Sequence, residues 1–252
     1  MTSTSRRPRR VTAAPPDAFA RMVRQASAAL RAGEVIAIPT DTVYGLAAAI
    51  DRPEAIARLY ALKGRPLEKA IPILLSDFAL VQQVATGVSA TATRLASVFW
   101  PGALTLVLAA RPQLPPRLTS TMESGLRTVA VRVPDDALTR AIIAACGGAL
   151  AVTSANRSGE NPALVARDAA TLDEAEPMLV IDGGEIAGGV PSTIVLAITG
   201  APVILREGAI SAAEIAAALG DGHLLADRVA SAQYDQHMSG QVRHSSMAEP
   251  NP

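Results

Sequence analysis

The sequence predicts an α/β protein, a mixed sheet covered by helices, on three observations. Helical and extended patterns are interleaved along the body of the chain rather than segregated. Apolar residues make up 49% of the 252 residues, enough for a substantial core, while aromatics make up only 3%, so Ala, Val, Ile and Leu must build that core. No repeat or linker interrupts residues 17–220, which read as one domain.

The elements follow in order. Residues 17–31 are Ala-rich and amphipathic and are stopped by Gly33, which predicts a helix. Residues 34–39 form a short buried-strand pattern, residues 53–62 are helix-like, and the apolar run 71–75 comes next. Two helical patterns, 78–85 and 90–99, precede a strand over 104–109. Residues 128–133 alternate, Asp135-Asp136 opens the next helix, and 149–153 are extended again. Strands over 178–181, 193–198 and 203–205 complete the set, and the short link 199–202 predicts an antiparallel hairpin between the last two. Ser211-Ala-Ala-Glu214 is a capping box that starts a final helix.

The two ends read differently. Residues 1–16 are expected to be a disordered basic tail, since Pro8, Pro15 and Pro16 oppose regular structure, and residues 221–252 a polar C-terminal tail. The N-terminus lacks the apolar core of a secretory signal, and the longest apolar stretch, 141–152, is too short to span a bilayer. Cys146 is the only cysteine, so an internal disulfide is impossible and a reducing compartment fits best. The expectation is a soluble cytoplasmic protein with no membrane partner. Its zero net charge gives no global attraction to nucleic acid.

Histidines narrow the chemistry. His223, His237 and His244 all lie beyond Gly220, so the body has no histidine and one cysteine. That removes Ser-His-Asp and Cys-His catalysis and the usual zinc ligand sets. Arg, Lys, Ser, Thr, Asn and carboxylates remain, the groups that hold phosphates and carboxylates by position and charge.

Several such groups sit at strand ends. Pro39-Thr-Asp-Thr-Val-Tyr-Gly45 follows a strand directly, where open α/β sheets place ligands, although composition alone favours a polar turn with a helix cap at Asp41. Lys63-Gly-Arg-Pro66 ends a helix, where basic residues favour the dipole; yet Lys63 and Lys69 are the only lysines in an Arg-rich chain. On a strand, Thr128, Ala130 and Arg132 share one face and Val129, Val131 and Val133 the other. If the polar face meets solvent nothing needs explaining; if it lines a cleft, Arg132 can grip a carboxylate or phosphate. Thr153-Ser-Ala-Asn156, the Gly-rich loop before Pro191-Ser-Thr193, and Arg206-Glu-Gly208 add hydroxyls and guanidinium groups at further strand ends. No Walker A or dinucleotide fingerprint is present.

With Trp100-Pro-Gly-Ala-Leu-Thr105 and Ala130-Val-Arg-Val-Pro134 added, the motif order over about residues 20–219 resembles the YrdC/TsaC family in its short form, without the extra C-terminal domain. The resemblance implies a twisted open mixed sheet with covering helices around a large concave cavity. It implies an L-threonylcarbamoyladenylate synthase, a nucleotidyltransferase that converts L-threonine, bicarbonate or CO2 and ATP, with Mg2+, to threonylcarbamoyl-AMP and pyrophosphate for tRNA modification. Carried over by position, Thr42, Arg132 and Ser192 would contact threonine. Lys63, Arg65, Thr128, Ser154, Asn156 and Arg206 would contact the nucleotide, with Lys63 and Arg65 in the catalytic role. Many relatives have a histidine near the place of Leu74. Implied partners are threonylcarbamoyl-transferase proteins acting on tRNA, with weak RNA binding a further partner to test. The competing readings are an RNA-binding module and a paralogue of the same fold with another small-molecule role; zero net charge and few aromatics oppose the first.

Overall fold

The computed structural model describes residues 10–12, 17–171, 178–187, 189–198 and 201–220. The expected C-terminal tail, most of the expected N-terminal tail, Gly188 and residues 199–200 of the expected hairpin link lie outside them.

The strands are β1 (Arg10–Thr12), β2 (Ile36–Ile38), β3 (Gly45–Ala49), β4 (Ile73–Leu75), β5 (Leu104–Ala109), β6 (Ser120–Thr121), β7 (Arg127–Arg132), β8 (Ala149–Ser154), β9 (Leu179–Asp182), β10 (Thr193–Leu196) and β11 (Val203–Arg206). The helices are α1 (Ala18–Arg31), α2 (Pro53–Lys63), α3 (Val81–Val84), α4 (Ala90–Phe99), α5 (Ala137–Ala145), α6 (Ala166–Ala169) and α7 (Ala212–Leu219). All described strands join one mixed sheet in the order β1-β9-β2-β3-β8-β4-β7-β5-β10-β11, with β6 paired to β7. The predicted α/β class and the interleaving of elements are therefore present, and β10 and β11 do pair antiparallel.

Three strands have no counterpart in the sequence reading. Gly45–Ala49 is buried at every position, so it shows neither alternation nor β-branched residues. β1 lies inside the stretch assigned to a tail and pairs in parallel with β9. β6 is two residues long, below the length at which a pattern exists. Local signals did hold at helix starts: Asp136 accepts from Thr139 N–H at 2.6 Å, and Ser211 and Glu214 form the reciprocal capping box of α7.

Side-chain alternation sorts the sheet into two faces. Leu104, Leu106 and Leu108 of β5, Val129 and Val131 of β7 and Val133 just after it enter the main core, which also takes Ile56 and Leu59 of α2, Leu95 of α4 and Ile215 of α7. The opposite face is covered on only one half. There, Met22 and Leu30 of α1 and Ile142 and Ile143 of α5 pack on Ile36, Ile38, Leu150 and Ile181. Over β7, β5, β10 and β11 the same face carries a cavity, lined by Ala130, Val107, Ile194 and Leu205. Leu74 and Val152 belong to both the second core and the cavity wall and so mark the border.

Candidate active site

The first wall of the cavity is the turn after β2. Thr40 Oγ1 donates to the Val43 carbonyl at 2.7 Å and accepts from the N–H groups of Thr42 and Val43 at 3.1 and 3.2 Å, so one hydroxyl closes the turn. No helix follows, and Asp41 pairs with Arg132 instead of capping one. Tyr44, fully buried, donates to the Gly184 carbonyl at 2.7 Å and ties the turn to the loop after β9. Gly45 is required by packing: a Cβ there would lie 2.6 Å from Val152 Cγ1.

At one end of the open face, β5, β7 and β11 and the residue just before β10 each present one polar side chain. β5 runs antiparallel to β7 and parallel to β10, and β10 antiparallel to β11. The C-terminal end of β7, the N-terminal ends of β5 and β10 and the C-terminal end of β11 therefore coincide, which aligns Arg132, Thr105, Ser192 and Arg206. Arg132 is 6% exposed. Its Nε donates to the Gly102 carbonyl at 2.9 Å, Nη1 to Thr42 Oγ1 at 3.0 Å, and Nη2 to the Asp41 carboxylate. A guanidinium has five N–H groups, so one on each terminal nitrogen is left for a ligand. Burial, opposed by Asp41, lowers the Arg132 pKa from its usual value. Arg206 Nη2 donates to the Ser192 carbonyl at 2.7 Å and more weakly to its Oγ at 3.4 Å. Desolvation and then the Arg132 charge lower the Arg206 pKa, so the two cations sense one another.

The other end is built from the loops around β8 and α2. Thr128 and Arg132 are four residues apart on β7, about 13 Å along a strand. Near Thr128 the cavity is lined by Ser154, Asn156, Arg65 and Lys69. Arg65 is fixed by its own loop, donating to the Lys69 and Ala70 carbonyls at 2.8 Å. Lys63 does not line the cavity; it is 4% exposed and sits behind Ser154 and Asn156. Its ammonium donates to Asn156 Oδ1 at 2.7 Å, the Ser154 carbonyl at 2.8 Å, Ser154 Oγ at 3.0 Å and the Asn156 carbonyl at 3.3 Å. Asn156 Nδ2 in turn donates to the Glu160 carbonyl at 2.7 Å. Burial first, and the Arg65 charge second, pull the Lys63 pKa down to about 8.

The cavity holds about 550 Å³, a size suited to a small-molecule ligand. Every residue that the sequence singled out lines it except Lys63: Thr42, Arg65, Thr128, Arg132, Ser154, Asn156, Ser192 and Arg206. The polar face of β7 thus meets the cavity, which settles the choice left open by its alternation. Arg65, Lys69, Arg132 and Arg206 make the lining cationic, against one lining carboxylate, Glu160, so it suits an anion at each end. Sequence reasoning gave no site role to Thr105, which it quoted only within a motif, or to Lys69, which it noted only as one of two lysines. The signal for Thr105 was a single hydroxyl in the otherwise apolar strand Leu104–Ala109. Among the described residues, no group of three His, Cys, Asp or Glu converges on a metal, and no helix is long and apolar enough to cross a membrane.

The fold and these motifs recur in known proteins. The Sua5/YciO/YrdC model, described as "Telomere recombination", matches residues 28–208. A threonylcarbamoyl-AMP synthase of Bacillus subtilis is 36% identical over 231 residues, covering 91% of this chain and 65% of that protein. A putative threonylcarbamoyl-AMP synthase of Mycobacterium leprae is 37% identical, over 82% of this chain and 92% of that one. The crystal structure of Pyrococcus abyssi Sua5 complexed with L-threonine superimposes with a TM-score of 0.74 at 33% identity, over 86% of this chain and 61% of that one. The chain thus spans under two thirds of the Bacillus and Pyrococcus proteins. From the Pro39 turn to the Arg206 loop, the polar cavity lies within the matched segment, and the chain belongs to the Sua5/YciO/YrdC family.

Proposed function

We propose that this protein is an L-threonylcarbamoyladenylate synthase: it joins L-threonine, bicarbonate or CO2 and ATP into threonylcarbamoyl-AMP and releases pyrophosphate. One observation carries the reading. A single cavity has two polar ends about one strand-length apart, one with a fork of N–H groups on Arg132 and one with Arg65, Ser154 and Asn156. An amino-acid carboxylate suits the first and a nucleotide phosphate the second. The relatives named for this activity and the threonine-bound Sua5 support it.

In this reading Arg132 binds the threonine carboxylate, with Thr42 and Ser192 beside it. Thr128, Ser154 and Asn156 face the nucleotide, and Arg65 neutralises phosphate charge; Arg206, carried over as a nucleotide contact, stands in the Arg132 row and so would meet the nucleotide from the threonine side. Lys63 acts from behind by fixing Ser154 and Asn156. The threonine amine attacks CO2 and loses a proton; the resulting carbamate oxygen attacks the α-phosphorus, and the bond to pyrophosphate breaks. Neither step needs a histidine. The chain contributes orientation and charge neutralisation, worth several kcal/mol each in well-ordered sites. Mg2+ enters with ATP as substrate, held by phosphate oxygens and water. A cytoplasmic location, and transfer of the product to tRNA adenosine by separate proteins, complete the proposal.

Pyrophosphate release is measured with ATP, Mg2+ and bicarbonate, with and without L-threonine. Release that requires both threonine and bicarbonate is expected. ATP binding without threonine-dependent release would point to a paralogue with another role. Salt-sensitive RNA binding without ATP turnover would point to an RNA-binding module.

A further inference from the structure

Thr105 and Ser192 form a pair that the carry-over of family positions leaves half unexplained. Thr105 is 4% exposed and Ser192 8%, and their hydroxyl oxygens are 2.8 Å apart, within hydrogen-bond distance. Both line the cavity. Sheet order places Thr105 on β5 between Arg132 on β7 and Ser192, which precedes β10; Arg206 closes the row on β11. Thr105 and Arg132 are the next residues beyond the paired Leu106 and Val131.

A hydrogen count decides what this pair does. Two hydroxyls carry two hydrogens, and their mutual bond uses one. Arg206 and Arg132 can only donate. Arg206 already gives an N–H to Ser192 Oγ, and the Asp41 carboxylate is engaged by Arg132. Thr105 Oγ1 has Ser192 as its side-chain partner and no acceptor carbonyl of its own. One hydroxyl hydrogen is therefore left without an acceptor among the described residues, and both hydroxyl-bearing residues line the cavity. The frame that holds the pair is stiff. Thr193 Oγ1 accepts from Gly208 N–H at 2.9 Å and Ile210 N–H at 3.0 Å, and a Cβ on Gly208 would lie 2.2 Å from the Pro191 carbonyl oxygen.

We infer that Thr105 is a positioning residue for Ser192: the two hydroxyls act as one donor unit that aims a single O–H at an oxyanion of the amino-acid substrate, between Arg132 and Arg206. The inference rests on the functional reading above. It makes Thr105 a determinant of amino-acid affinity rather than of nucleotide affinity, because the pair stands at the Arg132 end of the cavity.

Thr105→Val matches the shape and β-branching of threonine and removes only the hydroxyl. It is expected to raise the KM for L-threonine about 10-fold, the size of one hydrogen bond to a charged group, with the KM for ATP changed less than about 2-fold. Thr105→Ser, which restores the hydroxyl, is expected to recover most of the loss. Calorimetric titration with L-threonine should rank the variants in the same order without turnover. Combined with Ser192→Ala, Thr105→Val should add little further loss, since the two act as a unit. Full additivity, a selective rise in the ATP KM, or wild-type threonine affinity in Thr105→Val would overturn the inference while leaving the synthase reading intact. Wild-type protein that binds no threonine and releases no pyrophosphate would overturn both.

Discussion

The two ends of the cavity use charge in opposite ways. At the Arg132 end the cations line the cavity. Arg132, which lines the cavity, is anchored by Gly102, Thr42 and Asp41, and two of its five N–H groups are left unused by those anchors. At the Ser154 end the most buried cation, Lys63, turns away from the cavity and spends its hydrogens on four oxygens of Ser154 and Asn156. A planar guanidinium has donors enough both to be anchored and to bind, whereas an ammonium with three hydrogens is exhausted by its anchors. These residues therefore divide into groups that line the cavity and one, Lys63, that arranges others from behind it.

Removing each cation should separate the two modes. The largest effect is expected from Arg132→Ala, which loses the carboxylate fork: threonine affinity should fall by about 100-fold or more, as for charged pairs in desolvated sites. ATP affinity should stay within a few-fold. The same change strips Asp41 of its ion-pair partner, so a loss of stability of about 1–3 kcal/mol should accompany it. Adding Asp41→Asn should recover stability but not threonine binding. If the double variant binds threonine normally, Arg132 is a structural clamp and the two ends do not differ as argued. Next in size is Arg65→Ala, expected to raise the ATP KM by roughly 10-fold or more through the lost phosphate charge. Its melting temperature should change little, because Arg65 bonds to carbonyls of its own loop and its other partner, Tyr60, keeps two carbonyl acceptors for its hydroxyl.

How much of this was legible in the sequence follows the same division. Residues that touch the cavity sit at strand ends, and a strand's period of 2 already put Thr128 and Arg132 on one face. What the period could not give was whether solvent or a cavity lay opposite, because that depends on α1 and α5 covering only half the face. Lys63 was found as one of two lysines, but its direction was not, since Ser154 and Asn156 are 91 and 93 residues away in the chain. Thr105 was quoted within a motif without a role, because its partner is 87 residues distant. β3 was missed for a different reason: burial on both faces erases the pattern on which strand prediction rests.

The subtlest test of the comparison is pH, because burial brings the Lys63 pKa down to about 8, where titration is readily followed. The Lys63 pKa is about 8 in the folded chain and 10.5 when exposed. Between those values the unfolded chain holds a proton that the folded one has released, so the Lys63 contribution to stability rises with pH across that window. Below about 8 both states are protonated and the contribution is flat. Bound phosphate favours the charged ammonium, so ATP affinity should move the other way, falling as pH rises through about 8. Opposite slopes for stability and ATP affinity over one pH window are the expected signature of a buried cation that organises a phosphate site from behind. Lys63→Met should flatten both slopes while lowering ATP affinity about 10-fold, as its four acceptor oxygens lose their shared donor. Parallel slopes in the wild-type protein would mean that Lys63 does not govern the nucleotide end, and the contrast with Arg132 would fail.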